Sequence, residues 1–353
     1  MKVAVLVSGG VDSSVALQLL AETGKYDITA YYLQIWLEDE LSFLGECPWE
    51  EDLSYARAVC ERLNIPLKTV PLQKQYHDRV VGEVIEELKR GHTPSPDIWC
   101  NERVKFGAFF EAIDDSFDKI ASGHYAQVFE KDGEFFLQQA PDPVKDQSYF
   151  LSSLNQKQLS RILFPIGHLQ KSEVRDLAEQ YDLANKNRKD SQGICFLGKI
   201  KYSDFVKHHL GEEKGDVLEL ETGEKWGEHK GVWFHTIGQR QGLGIHGGPW
   251  YVVKKDLEKN IVYISHKKTQ TTVAKDYLFA KEPHWINGEP EEGIALKAKL
   301  RHGPNMIDCT FRKMSNGLLD VKLAQTDNGI SPGQSIIFYN GDICIGRAFI
   351  AEY

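Results

Sequence analysis

The first residues in this chain with evident chemistry are suited to phosphate. Ser8, Asp12, Ser13 and Ser14 crowd around Gly9 and Gly10 in VAVLVSGGVDSSVALQLL, residues 3–20. Paired glycines let a backbone turn sharply and bring its N–H groups up to a ligand. A helix that follows points its positive end at the same spot. Asp12 adds a carboxylate able to hold Mg²⁺. No lysine follows the glycines, so this is not a Walker A loop. A second set lies in TPSPDIWCNERVKF, residues 93–106, where Cys100 directly precedes Asn101. Asn101 reads as a helix cap, which would put the Cys100 thiol at a helix N-terminus, where thiolate is favoured. Asp97, three residues back, is placed to accept or pass a proton. A third set surrounds Cys195 in NKNRKDSQGICFLGKIKY, residues 185–202, where Lys186, Arg188, Lys189, Lys199 and Lys201 face the single acid Asp190. Such a field stabilises a thiolate or persulfide, although a basic run is more often a solvated face.

The elements that must position these residues are legible as patterns. Residues 3–7 form a short β-branched run, as a buried parallel strand should, and Val11, Val15, Leu19 and Leu20 then recur at helical spacing. Residues 28–35, 67–70 and 119–121 read as further strands, and 50–63 and 76–90 as helices, the latter stopped by Gly91. Ser172 reads as the cap of a helix through KSEVRDLAEQYDL. This alternation predicts a doubly wound parallel sheet. Near Tyr202 the composition shifts. After one helix, SDFVKHHL, β patterns dominate, with strands expected at 232–237, 250–253 and 260–265. From about Thr271 the pattern stays β, and Asn340-Gly341 is a strong hairpin turn. A small C-terminal β-barrel is expected. The domains are therefore read as 1–203, a nucleotide-binding catalytic unit, 204–270, a small central α+β unit, and 271–353, the barrel.

The chain has 353 residues and a net charge of −9, which argues against a protein that coats nucleic acid non-specifically. Its six cysteines form no C-x-x-C pair and no Cys/His cluster, so no metal site is expected. No apolar run approaches membrane-spanning length, and the sequence enters its first strand at once, so a cytoplasmic protein, or a mature form already cleaved, is expected.

The motifs SGGVDSS, PDxxCN, SGHYA, KDQSYFL (145–151), KDSQGICF (189–196), TIGQRQGLGI (236–245) and SPGQ (331–334) occur in the order found in bacterial-type tRNA-specific 2-thiouridylases. The chain resembles that family from its first strand to its last. The family belongs to the N-type ATP pyrophosphatases, with an adenine nucleotide alpha hydrolase-like fold. The resemblance implies ATP and Mg²⁺ as cofactors, with ATP contacts at Leu6, Val7, Ser8, Gly9, Gly10, Val11, Asp12, Ser13, Leu33 and Gly123. It implies that Cys195 carries a persulfide, that Cys100 forms a disulfide with it as sulfur is delivered, and that Asp97 does acid–base work. It further implies tRNA contacts at Ser95, Pro96, Asp97, His124, Lys145, Asp146, Gln147, Arg301, His302 and Gln334. The implied reaction converts the wobble uridine to 2-thiouridine. ATP adenylates the C2 oxygen, making it a good leaving group, and persulfide sulfur then attacks C2. The target base must leave its stack to be reached. The implied partners are tRNA and a persulfide donor or relay protein, with the enzyme itself a monomer. The chain departs from the family pattern at Ser95, where asparagine is usual, and at Leu33-Gln34-Ile35-Trp36, where Met-Lys-Asn-Trp is more frequent. Two other readings stay open on the residues alone. One is an adenylating synthetase for a small molecule, which explains the loop but not the two cysteines. The other is a non-catalytic RNA-binding protein, which needs neither Asp97 nor the cysteines.

Overall fold

The computed structural model describes residues 1–35, 49–190, 201–266 and 275–352. Cys47, Cys195 and Lys199 lie outside the described residues. The first sheet is built as the alternation predicts. Strand β1 (Lys2–Leu6) leads through the glycine loop into helix α1 (Val11–Glu22), followed by β2 (Asp27–Gln34), α2 (Trp49–Leu63) and β3 (Leu67–Pro71). Helix α3 covers 73–89 and contains a π-helical turn at His77–Val81; α4 covers 96–112, with another at Cys100–Ala108. Strand β4 (Lys119–Ala121), the hairpin β5 (Ala126–Lys131) and β6 (Glu134–Gln139), short helices α5 (Ser148–Leu151) and α6 (Gln156–Leu159), β7 (Ile162–Leu163) and α7 (Lys171–Gln180) complete this part.

The sheet order β3-β2-β1-β4-β7 is parallel throughout. Central β1 is covered on both faces, which is why its sequence is apolar without alternation. Val3 and Val5 enter one core and Ala4 and Leu6 the other. Strand order reverses between β1 and β4, and ligands of open α/β sheets bind beyond the carboxyl ends of strands at such a point.

Helix α8 (Tyr202–Leu210) leads to a four-stranded sheet, β8 (Gly215–Glu219), β9 (Lys225–His229), β10 (Tyr251–Asp256) and β11 (Ile261–Ser265). The strand expected at 232–237 is a 3₁₀ turn at Val232–Phe234. Val232 is buried in this unit's small core while the Trp233 indole donates to the Gly211 carbonyl at 3.3 Å. A short apolar run is buried here as a turn, an outcome periodicity alone does not separate from a strand.

Strands β12 (Lys275–Trp285), β13 (Leu296–Lys299), β14 (Ile307–Lys313), β15 (Leu319–Asp327), β16 (Ser335–Asn340) and β17 (Ile343–Ile350) form the expected barrel. It closes because β12 pairs with both β15 and β17, and Asn340-Gly341 makes the β16–β17 turn. The barrel is not a separate bead. Ile343 and Cys344 of β17 pair with β6, and Ile337, Tyr339, Cys344 and Phe349 share a core with Trp99, Cys100 and Phe106 of α4. Helix α4 is thus held between the parallel sheet and the barrel. No helix among the described residues is long and apolar enough to cross a membrane.

Candidate active site

The glycine loop lies at the β1–β4 switch point. Gly9 has φ +74°, and a Cβ there would run into the Asp52 carbonyl, so only glycine fits. Gly123 of SGHYA lies against the first turn of α1, where a Cβ would stand 2.7 Å from the Ser13 nitrogen. Ser13 and Ser14 donate from their hydroxyls to the Gly10 carbonyl at 3.1 and 3.0 Å. They shape the loop, and Gly10 at the N-cap brings no side chain that would cover the α1 N-terminus, whose first-turn N–H groups suit an anion. Leu6, Val7 and Val11 are buried supports, Ser8 is exposed, and Leu33 packs at the end of β2. Asn185 braces the loop from afar, donating to the Gly9 carbonyl at 2.8 Å and the Ser14 hydroxyl at 2.9 Å.

Asp12 is already engaged. Its Oδ1 accepts the Tyr125 hydroxyl at 2.9 Å and the Lys171 ammonium at 2.6 Å. Burial, with Asp12 adding, pushes the Tyr125 phenol far up, so it stays a proton donor. Tyr125 is set by Gln147, the two exchanging hydrogen bonds at 2.9 and 2.7 Å through the Gln147 side-chain and backbone amides. Lys171 also reaches Asp190 at 2.8 Å, Lys145 reaches it at 2.7 Å, and Arg175 bonds to it as well. Burial would raise the Asp190 carboxyl, but the hydrogen bonds from Lys145 and Lys171 prevail and hold it well below the usual carboxylate range. Among the described residues no cluster of three or more His, Cys, Asp or Glu could hold a metal. The residues fit Mg²⁺ only in the way nucleotide enzymes commonly use it, carried on phosphates with at most a carboxylate such as Asp12 added.

The second region lies along α4. Its N-cap is Ser95 and Pro96 is its first residue, which corrects the expected cap at Asn101. Cys100 is one turn inside the helix and fully buried, beyond the first turn where a helix dipole acts most strongly. Asn101 is interior too, donating to the carbonyls of Asp97 at 2.9 Å and Phe150 at 3.3 Å. Asp97 and Cys100, three residues apart on the helix, share a face. His124 follows β4 and touches this helix through Phe106, ring centroids 5.9 Å apart. Burial, with Lys105 nearby, keeps its imidazole neutral.

Several residues expected at RNA converge beside Asp97. Burial pushes the Tyr149 phenol up to about 12 against a hydrogen bond with Ser95 and the Arg301 charge. Its hydroxyl donates to the Ser335 carbonyl at 3.1 Å, next to Gln334. His302 stacks on Phe150 at 4.6 Å, and the charges of Asp146 and Asp97 act on its ring. Some charged groups of these sets are spent elsewhere. Asp146 is buried, with Lys299 at 2.7 Å, Ser148 at 2.9 Å and Gln139 at 2.9 Å on one oxygen, so its side chain pins the barrel to the loop after β6 and offers RNA nothing. Arg188 bonds to Asp52 and to the Gly9 carbonyl, and Lys186 pairs with Glu179 and Asp182. The basic run is thus partly internal bracing, with Lys189 and Lys201 exposed.

Sequence reading missed Lys171, Arg175, Tyr125 and Asn185. For Lys171 a signal existed. The helix cap is Gln170, not Ser172, so Lys171 is the first residue of α7. A cation there opposes the helix dipole and calls for anions nearby.

A parallel sheet with a phosphate loop at its switch point, joined to a closed barrel, defines an α/β nucleotide-binding protein of the adenine nucleotide alpha hydrolase-like class. Residues 1–199 match the family described as tRNA methyl transferase HUP domain, 203–266 its PRC-barrel domain, and 275–350 the aminomethyltransferase β-barrel domain. The chain is 44% identical over 360 residues to the tRNA-specific 2-thiouridylase MnmA of Parabacteroides distasonis, covering 100% of this chain and 99% of that one. It is 43% identical to the tRNA-specific 2-thiouridylase MnmA 1 of Bacteroides thetaiotaomicron, covering 100% of both. A third relative, from Porphyromonas gingivalis, is 43% identical, covering 100% of this chain and 99% of that one. The chain belongs to the tRNA-specific 2-thiouridylase family.

Proposed function

We propose that the chain is a tRNA-uridine 2-sulfurtransferase that thiolates the wobble uridine, consuming ATP and releasing AMP and pyrophosphate. Full-length identity of 43–44% to proteins named tRNA-specific 2-thiouridylases carries this reading. Each part of the geometry has a place in it. The glycine loop and α1 N-terminus take ATP, with Gly123 and Leu33 at its edges and Mg²⁺ arriving on the phosphates. ATP supplies the adenylyl group that turns the C2 oxygen into a leaving group. Ser95, Asp97, Arg301, His302 and Gln334 surround the flipped base, and the Phe150–His302 stack offers it a flat face. Cys195 carries the sulfur as a persulfide and Cys100 releases it by attacking the inner sulfur. Lys145, Asp146 and Gln147 serve through positioning, by way of Asp190, Lys299 and Tyr125. The partners are tRNA and a persulfide donor or relay protein, and the enzyme works as a cytoplasmic monomer with the three-domain division given above.

The test is mass spectrometry of tRNA from cells lacking the gene. Loss of 2-thiouridine, restored by the wild-type chain and not by Cys195→Ser, is expected. Unchanged 2-thiouridine would overturn the proposal.

A further inference from the structure

The glycine loop lacks the lysine with which Walker-type loops meet terminal phosphates. The fold brings one to it from elsewhere. Lys171, 159 residues along the chain from Asp12, places its ammonium 2.6 Å from Asp12 Oδ1, in the first turn of α1 where the loop's backbone donors converge. The side chain is 14% exposed and lies over the Tyr125 ring, 5.7 Å from its centroid. Its backbone is fixed as well, the Lys171 N–H donating to Asp142 at 3.1 Å. Its position is electrostatically adverse, because a cation at the first residue of a helix faces the positive end of the dipole. Asp12 and Asp190 offset that in this structure. Of the two, Asp190 is also held by Lys145 and Arg175, so it remains a fixed counter-charge, whereas Asp12 stands at the mouth of the phosphate loop.

We propose that Lys171 is a phosphate-contacting residue of the nucleotide site, exchanging its bond to Asp12 for the β- and γ-phosphates of ATP. The inference rests on reading the loop as the ATP site. A polyphosphate next to an unpaired Asp12 would be repelled, and a lysine shared between the two makes the loop tolerant of both. When the bond between the α-phosphorus and the bridging oxygen breaks, the electron pair leaves with pyrophosphate. A cation held there by Asp190 and Tyr125 stabilises that charge without moving far. Asp190 is then a positioning residue, acting through Lys171.

Calorimetric titration of the full chain with ATP, pyrophosphate and AMP, each with magnesium chloride, separates the possibilities. Lys171→Ala should weaken ATP and pyrophosphate by about tenfold or more and AMP by less than about twofold. Lys171→Arg should recover most of the loss. Lys171→Gln, which keeps the length of the side chain, carries the same test if the alanine variant does not fold. Equal losses for ATP and AMP, or no loss, would overturn the assignment. Binding of none of the three by the wild-type chain would overturn the ATP reading of the loop together with it. Normal binding and the expected Lys171 pattern, without any tRNA thiolation, would leave Lys171 in place and remove the proposed reaction.

Discussion

The two regions that flank the end of the parallel sheet are built from opposite materials. Around the glycine loop the contacts are ionic and reach across the chain: Asp12, Lys171, Asp190, Lys145 and Arg175 form one chain of charge on partly exposed side chains. Around Cys100 the surroundings are an apolar core shared with the barrel, where Trp99 meets Phe349 at 6.2 Å between ring centroids. The difference suits the two tasks that the proposed reaction would set. A phosphate site must exchange one anion for another, so it keeps cations within reach of the loop. A sulfur relay must keep water and stray thiols away, so its thiol is embedded. The sheet edge borders both regions because its loops converge there, and the barrel packs against α4.

Breaking one side and watching the other sharpens that contrast. The largest effects fall on the cysteines. Cys195→Ser should lower 2-thiouridine formation by more than about 1,000-fold while pyrophosphate release continues. Cys100→Ser should stall with persulfide retained on Cys195, readable by peptide mass spectrometry. Thiolation by Cys195→Ser, or persulfide found chiefly on Cys60, would abolish the division of labour. Next comes the pin between the barrel and the loop after β6. Lys299→Ala leaves the Asp146 charge buried without its partner, a loss of about 3–5 kcal/mol. Its thermal midpoint should fall steeply, and the paired change Lys299→Met with Asp146→Leu should recover much of it. A smaller effect belongs to neither region. Burial, aided by the His229 and Lys255 charges, lowers His235 from 6.5 to about 4. Below pH 6.5 the unfolded chain takes up a proton that folded His235 refuses. Stability is therefore full above that pH and declines as pH falls toward 4, by at most about 3 kcal/mol. Denaturant titrations between pH 7 and 4 should show a shallower decline in His235→Gln. The smallest effect concerns RNA. Arg301 is exposed and paired with Asp327, and Arg301→Ala should flatten the log affinity versus log salt slope by about 0.7–0.9 if it meets one phosphate. An unchanged slope assigns it to the barrel alone.

The ionic side was legible in the sequence because its core is local. Residues 3–20 contain the strand, the turn and the helix, and the positive φ at Gly9 is what a paired glycine announces. Lys171 escaped because its partner is 159 residues away and Ser172 suggested a later helix start. The buried side was legible only as types. The pair Asp97 and Cys100 stood out, but Asn101 after a proline-rich stretch mimics a cap, and only the packing of α4 under β16 and β17 shows the helix starting at Pro96. Asp146 reads as a surface acid until Lys299 is folded against it. The hairpin β5–β6, which extends the barrel sheet from within the N-terminal part, carried no sequence signal of its partner. Long-range pairing is what a single sequence least exposes.

On the proposed reaction, the ionic side activates the same base that the buried side then thiolates. Transcript tRNA with a heavy-oxygen label at C2 of its wobble uridine tests this in one measurement. The purified chain, ATP and a persulfide donor should yield 2-thiouridine, with the heavy oxygen recovered in the phosphate of AMP, one per thiolated base, and none in pyrophosphate. Heavy oxygen recovered in water or inorganic phosphate, or thiolation with no AMP formed, would contradict it.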